Sequence, residues 1–355
     1  MQITKVEVVP VELKLRLPYR TAYRPDVEID QIAVMFIRLE TQQGLTAWGC
    51  AAFDENLTGE TLDAVLRSCR ACADVVQDLS PLNTEYALGE LSRCTAHTPS
   101  ALCAFDIALY DLLGLAAGLP LHRLLGGYRD RIQTSATIRL APVQETVKLA
   151  QERARQGFRI LKVKGGVDPD QDVERIRAIR RALPGFTLRL DAEQGYTARQ
   201  ALAVARALKD DLEMLEQPLS ATDLDGMQQI TARSQVPILA DESVTAPQTA
   251  MEVATRRAAN GLSIKLATCG GFHPARQIDI VARLHHMATM VSCVNEPALL
   301  TAAGLAFALS SANVRYGDLD GYLDLVDDPT VAGFCLEEGV LVATDVPGLG
   351  CTVAL

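Results

Sequence analysis

The stretch Ile160-Leu161-Lys162-Val163-Lys164-Gly165-Gly166, ILKVKGG, sets two lysines two positions apart in an apolar run that halts at a glycine pair. Residues i and i+2 of a strand point to the same side. Both ammonium groups therefore face one way, where they repel. A strand that ends in concentrated positive charge needs negative charge opposite it.

The following sequence supplies that charge at a fixed interval. Short apolar runs with polar ends cover residues 134–138, 159–164, 187–191, 213–216, 237–241, 261–265, 290–293 and 314–320. Helical patterns such as DQDVERIRAIRRAL and ARQALAVARAL separate most of them. Lys164 to Asp191 is 27 residues, Asp191 to Glu216 and Glu216 to Asp241 are 25 each, and Asp241 to Lys265 is 24. That is the length of one strand, loop, helix and loop. Eight such units predict a parallel α/β barrel of the (β/α)7β type, with each polar end at the C-terminal mouth. An open doubly wound sheet would need a GxGxxG turn after a strand, and none is present.

The chain changes character near residue 127. Before it, alternating runs at 31–40 and 44–52 precede helical patterns at 58–77, 83–96 and 100–118, an α+β order. We expect an N-terminal α+β domain over 1–126, a barrel over 127–320, and a C-terminal segment 321–355. With 355 residues, 48% hydrophobic and 22% charged, the chain suits two domains. Its net charge of -10 argues against nucleic acid and anionic membrane as partners. No run reaches the roughly 18 apolar residues of a spanning helix, and the apolar stretch 299–309 reads as a buried helix. The start, MQITKVEVVPVEL, alternates like a strand and lacks a signal-peptide core, so a cytoplasmic location is expected. Nine cysteines show no framework spacing; the Cys69–Cys72 CxxC lies in a helical pattern and reads as packed thiols.

The predicted mouth gathers Lys162 and Lys164 on the second strand, Asp191 on the third, Glu216 on the fourth, Asp241 on the fifth and Lys265 on the sixth. Alone, an Asp at a strand end serves as a helix N-cap and a Lys as a rim charge. Three carboxylates on consecutive strands instead converge on one volume, where they would repel and bind protons. A hard cation such as Mg²⁺ resolves this with oxygen ligands. Lys164 and Lys265 come from opposite sides, so each can face one side of a planar intermediate. The set suits proton abstraction beside a carboxylate, the metal accepting charge as an enediolate forms. A lysine with its pKa lowered by Lys162 and the metal would be the base, and the second would reprotonate with inversion.

These residues and their motifs, LKVKGG, LRLDAEQGY, LEMLEQPL, ILADESV and LSIKLATCGG, resemble the enolase superfamily in its muconate lactonizing enzyme subgroup. Sites of that superfamily pair Lys or His bases with magnesium. The resemblance implies that the α+β domain 1–126 is a capping domain completed by segment 321–355, with Lys164 and Lys265 as the acid/base pair, Asp191, Glu216 and Asp241 as magnesium ligands, and Lys162 as support for Lys164 and contact for the substrate carboxylate. The eighth run, RYGDLDGYLDL, is similar to the DxD motif of dipeptide epimerases, which implies that Asp318 and Asp320 hold a dipeptide's ammonium group. The seventh, MVSCVNEP, bears no histidine, unlike the mandelate-racemase branch. Thr137 and Asn295 match substrate-facing positions. Symmetric homo-oligomers are common on such barrels. Racemases of N-succinylamino acids, o-succinylbenzoate synthases and cycloisomerases share the five core residues, and a barrel that only binds peptides is a third reading.

LPYRTAYRP and DENLTGET stand where this family has two capping loops, and Tyr19, Tyr23, Arg24, Phe53, Asp54 and Glu55 fall in them. Arg24 aligns with an arginine that selects Glu in Ala-Glu epimerases, but Asp54 and Glu55 would oppose a carboxylate. The aromatic residues favour a hydrophobic or aromatic second residue after a small first one; a cationic second residue comes next and Ala-Glu third. The sequence departs from the family pattern at Glu193, where Asn is usual, at Pro297 in place of Ser, and at Cys50 in place of Glu.

Overall fold

The alternation that begins at the N-terminus runs further than the sequence suggests. In the computed structural model, which describes residues 1–53, 55–95 and 97–355, three antiparallel strands form the cap sheet: β1 (Ile3–Thr21), β2 (Arg24–Thr41) and β3 (Thr46–Ala52). LPYRTAYRP, expected as a loop, is the end of a long hairpin whose tip is Ala22–Tyr23. Register shifts on either side of Tyr19 bend the hairpin as it leaves the sheet.

Helix Pro99–Ala117 packs across β3 and β2. The two backbones approach so closely that a Cβ on Gly49 would collide with the Ala104 carbonyl. By length and composition this helix could cross a membrane, which corrects the reading that no segment reaches that length. It is instead buried nearly all round, as a core helix is. Its two acids cap backbone amides elsewhere. Asp111 accepts from Trp48 N and Leu349 N at 3.2 and 2.7 Å. Asp106 accepts from Phe272 N and His273 N at 2.6 and 3.1 Å, at the start of helix Phe272–Leu284. On helix Leu62–Val76, Cys69 and Cys72 face the core, and burial pushes the Cys69 thiol up to about 12. All nine cysteines are free.

β4 (Arg131–Gln133) leads into eight parallel strands that pair in chain order: β5 (Ala136–Ile138), β6 (Ile160–Lys164), β7 (Thr187–Asp191), β8 (Met214–Glu216), β9 (Ile238–Ala240), β10 (Gly261–Lys265), β11 (Ala288–Ser292) and β12 (Val314–Asp318). A single bridge, Thr134 to Gly317, draws the last strand to the first. The fold is an α+β cap over a nearly closed eight-stranded parallel barrel. Asp241 lies one residue beyond β9 and Asp320 two beyond β12. Both polar ends leave the ladder before they reach the mouth. The apolar stretch near 299–309 is helix Ala298–Ser310, buried from Ala298 to Leu309.

After the barrel the chain pairs with β1 through Leu15 and Leu325, and Arg16 N donates to Asp324 O at 2.7 Å. β13 (Thr330–Val331) then pairs with β16 (Thr352–Val353), and β14 (Phe334–Glu337) and β15 (Val340–Ala343) add to β4. The Gly49 contact gives a stability test. Gly49→Ala should cost about 1–3 kcal/mol through overpacking. Gly89→Ala, on the open face of helix Thr84–Ser92, should stabilise by up to about 1 kcal/mol. Thermal melts of the two variants check both signs.

Candidate active site

Alternation along the barrel strands decides what faces inward. Lys164 pairs with Asp191 and Asp191 with Glu216 across adjacent strands, which puts all three at one level. One layer below, Lys162 pairs with Arg189 and Arg189 with Met214. The floor is Met214, Leu239 and Met290, with Tyr316 packed against them. Arg189 closes it: Nε donates to Glu213 Oε2 at 2.7 Å, a terminal nitrogen donates to Gly317 O at 2.9 Å, and the guanidinium lies over the Tyr316 ring.

Above this floor, one carboxylate oxygen from each of Asp191, Glu216 and Asp241 lies within 4.8 Å of the others, all three residues buried. Among the described residues, neither oxygen of Glu216 finds a hydrogen-bond partner. Lys162 Nζ stands 3.0 Å from Glu216 Oε2 but without hydrogen-bond geometry. Unpaired buried oxygens facing two further acids are what an oxygen-ligated divalent cation would satisfy. Asp241 and Gln217 show how the ligands are set. Gln217 follows β8 with φ 33°, and its side-chain oxygen accepts from Asp241 N at 2.8 Å and Ser243 N at 3.2 Å. Glu193 and Gln194, just past β7, also have positive φ, a backbone region costly for such residues and frequent at functional sites.

The lysines occupy three distinct places. Lys162 is buried and donates to Asp318 Oδ2 at 2.7 Å, with Asp191 Oδ2 also 3.0 Å away. Lys164 donates to Asp191 Oδ2 at 2.9 Å and Glu193 Oε1 at 2.8 Å. Lys265, on β10, reaches Asp241 Oδ2 at 2.5 Å. β6 and β10 are the second and sixth of eight strands, so these last two amines enter from opposite staves. Burial alone would push all three down; their carboxylates overcome it and hold each above the ordinary lysine range. The lowering expected from sequence counted a bound metal as well as Lys162; from the side chains alone the direction is upward. Burial likewise pushes Asp191 up, but Lys162, Lys164 and Lys265 hold it well below the usual carboxylate range. Glu216 lies well above it because burial and the neighbouring acids outweigh Lys162.

At the end of β12, Asp318 points into the barrel and is fully engaged. Besides Lys162 it accepts from Ser135 Oγ at 2.6 Å and Ser292 Oγ at 3.1 Å. Asp320 lies higher and accepts from Thr137 N at 2.5 Å and Thr137 Oγ1 at 3.1 Å. Burial and the adjacent Asp318 push Asp320 up to about 6. A cavity of about 800 Å³ opens over this group, lined by Thr137, Lys162, Lys164, Lys265, Asn295, Asp318 and Asp320 below and by Tyr19, Tyr23 and Phe53 above. Arg24, exposed at the start of β2, and Glu55, exposed on helix Glu55–Thr58, lie outside the lining. Asp54 falls outside the described residues.

Sequence reasoning missed Arg189, Ser135, Ser263, Ser292 and Glu242. The first three sit two residues before Asp191, Thr137 and Lys265, so strand alternation alone could have named them. Ser263 Oγ donates to Ser292 Oγ at 3.0 Å, which extends the network under Asp318. Glu242 lines the cavity beside Asp241, and burial with that neighbour pushes it up to about 8. Around the mouth, the three ammonium groups face Asp191, Glu193, Glu216, Asp241, Glu242, Asp318 and Asp320. The excess of acids suits cationic guests.

Comparison with known proteins accords with this geometry. Residues 3–126 match the mandelate racemase/muconate lactonizing enzyme N-terminal domain, and residues 145–354 match the enolase C-terminal domain-like family. The chain is 37% identical to the L-Lys-D/L-Arg epimerase of Methylococcus capsulatus and 32% identical to the hydrophobic dipeptide epimerase of Enterococcus faecalis, over 99% of each pair of chains. It is 25% identical to the N-succinyl-L-Arg/Lys racemase of Bacillus cereus, over 99% of this chain and 96% of that one. The Enterococcus faecalis enzyme, solved with Mg and L-Leu-L-Tyr, superposes with a TM-score of 0.95 at 32% identity, over 99% of this chain and 100% of that one. The Methylococcus capsulatus dipeptide epimerase, solved with Mg and L-Arg-D-Lys, gives 0.93 at 36% identity over the whole of both. With both halves matched and relatives above 30% identity from end to end, the chain belongs to the mandelate racemase/muconate lactonizing enzyme family of the enolase superfamily.

Proposed function

We propose that this protein is a magnesium-dependent dipeptide epimerase that inverts the α-carbon of the C-terminal residue of L,L-dipeptides. The observation that carries the reading is the pair Lys164 and Lys265, on opposite staves, with the acids Asp191, Glu216 and Asp241 between them. Those acids are the proposed metal ligands; magnesium bound there supplies positive charge that offsets them and draws out charge on the substrate carboxylate. Lys162 lies deepest and touches that carboxylate. One lysine, neutral, takes the α-proton; the other, as an ammonium, delivers a proton to the opposite face. Asp318 and Asp320 receive the substrate's ammonium group, with Asp318 oriented by two serines and Asp320 by Thr137. Full-length relatives named as dipeptide epimerases and solved with Mg and dipeptides support the same chemistry.

Tyr19, Tyr23 and Phe53 wall the cavity opposite the lysines. They favour a hydrophobic or aromatic second residue after a small first one, while Asn295 faces the substrate from the seventh loop. A cationic second residue is the next reading, favoured by the Lys/Arg epimerase at 37% identity. The proposed division is cap 1–126, barrel 127–320 and returning segment 321–355, in a cytoplasmic homo-oligomer. Incubation with an L,L-dipeptide library in deuterium oxide, read by mass spectrometry, tests the function. Deuterium at the C-terminal α-carbon of dipeptides is expected; exchange confined to N-succinylamino acids would overturn the assignment.

Three further outcomes follow from the site. Lys164→Ala and Lys265→Ala should each lower epimerisation by about 10²–10⁴-fold, measured by chiral chromatography. Magnesium should raise the melting temperature of the wild type but not of Glu216→Gln. Asp320 is charged only above about pH 6, and its charge holds the ammonium group. KM for a dipeptide should therefore rise as pH falls through 6, an inflection absent from Asp320→Asn; a KM that is flat from pH 5 to 8 would remove the role of Asp320.

A further inference from the structure

Glu193 stands where the hairpin tip of the cap meets the barrel, and no step above uses its side chain. One carboxylate oxygen accepts from Ala22 N at 2.6 Å, in the turn between β1 and β2. The other accepts from Lys164 Nζ at 2.8 Å. Its own amide donates to Asp191 Oδ1 at 3.1 Å. The residue is buried and held at φ 42°. The tip is seated hard against the loops after β6 and β7: a Cβ on Gly166 would strike the Ala192 carbonyl and lie 2.9 Å from Ala22 Cβ. Only a glycine lets the three segments stack so closely.

Lys164 needs such an anchor more than the other two lysines do. Its side chain is 25% exposed, against 9% for Lys265 and 3% for Lys162. A lysine has four rotatable bonds and a point charge, so at a rim it samples many positions. Two carboxylates on either side of Nζ restrict it to one. A carboxylate can accept from an amide and an ammonium together. Asn, shorter and with a single acceptor oxygen, cannot span Ala22 and Lys164.

We propose that Glu193 is a positioning residue that couples seating of the Ala22–Tyr23 tip over the cavity to the orientation of Lys164, so that proton transfer on that face works only under the closed hairpin. The proposal rests on the two-lysine reading above. It makes the two faces of the site unequal: the Lys164 face depends on the cap, and the Lys265 face, whose amine is held by Asp241 of the barrel itself, does not.

The test compares wild type with Glu193→Gln, which keeps the size of Glu, and Glu193→Asn, a residue that tolerates a left-handed backbone. Loss of α-hydrogen from each epimer of a turned-over dipeptide is followed at early times in deuterium oxide, since each epimer presents its hydrogen to one lysine. Amide exchange at Ala22 is read in parallel by NMR or fragment mass spectrometry. Glu193→Asn should exchange the Ala22 amide faster, and both variants should lose about tenfold or more in α-hydrogen exchange from one epimer only, the scale of one charge-assisted bond. Equal loss from both epimers, unchanged rates, or a faster Ala22 amide without asymmetry would overturn the coupling. If wild type exchanges neither epimer, the epimerase reading itself fails, a result distinct from failure of Glu193.

Discussion

The mouth of the barrel packs buried acids close together, and Lys162 is what makes that possible. Its ammonium group lies 2.7–3.0 Å from Asp318, Asp191 and Glu216. Buried ions are costly unless paired. Without a cation at this point, acids from β7, β8 and β12 would repel one another across the middle of the barrel. The arrangement is still short of positive charge, as the unpartnered oxygens of Glu216 show. A site built this way holds a standing demand for one more cation. The demand centres on Glu216, which stands between Asp191 and Asp241.

The cap is bound to this centre by polar contacts set in apolar packing. Asp106 and Asp111 belong to the most hydrophobic long helix of the cap, and both spend their oxygens on backbone amides of other segments. Burial pushes them up to about 7 and about 6. Phe272 and His273 open the helix that follows the Lys265 strand, so Asp106 fixes the cap against the barrel unit carrying the second amine. The hairpin tip fixes it again on the far side, at Gly166 and Glu193. The two attachments straddle the cavity.

Much of this was legible in the sequence because barrels repeat. The spacing from Lys164 to Lys265 placed five side chains at one mouth, and the apolar run near 299–309 proved to be a helix buried from end to end. What periodicity does not encode was misread or missed. LPYRTAYRP contains two prolines and four charged or aromatic residues and looks like a loop, yet pairing with β2 carries it as strand to Thr21. Helix Pro99–Ala117 escaped the apolar count because Asp106 and Asp111 interrupt it, although both are satisfied inside the protein. The upward direction that the side chains alone give the lysines also depends on distances that spacing does not encode: Asp191, Asp318 and Glu216 lie close to Lys162, and Asp191 and Glu193 close to Lys164.

The separation of tasks along the barrel axis follows from the same physics. Lys162, Asp191, Glu216 and Asp318 sit in a shell of strand ladders, where a side chain has little freedom and charge is screened weakly. Alteration there disturbs every neighbour at once. Tyr19, Tyr23 and Phe53 stand on a hairpin and a strand end at the rim, where contacts are fewer and replacement is tolerated. Chemistry can therefore stay fixed while the upper wall changes to suit different side chains. Glu193 is the exception to this division. It lies in the deep layer by burial and in the upper one by contact, which makes it the one point among the described residues where Ala22 of the cap is hydrogen-bonded to the carboxylate that also holds a lysine of the barrel.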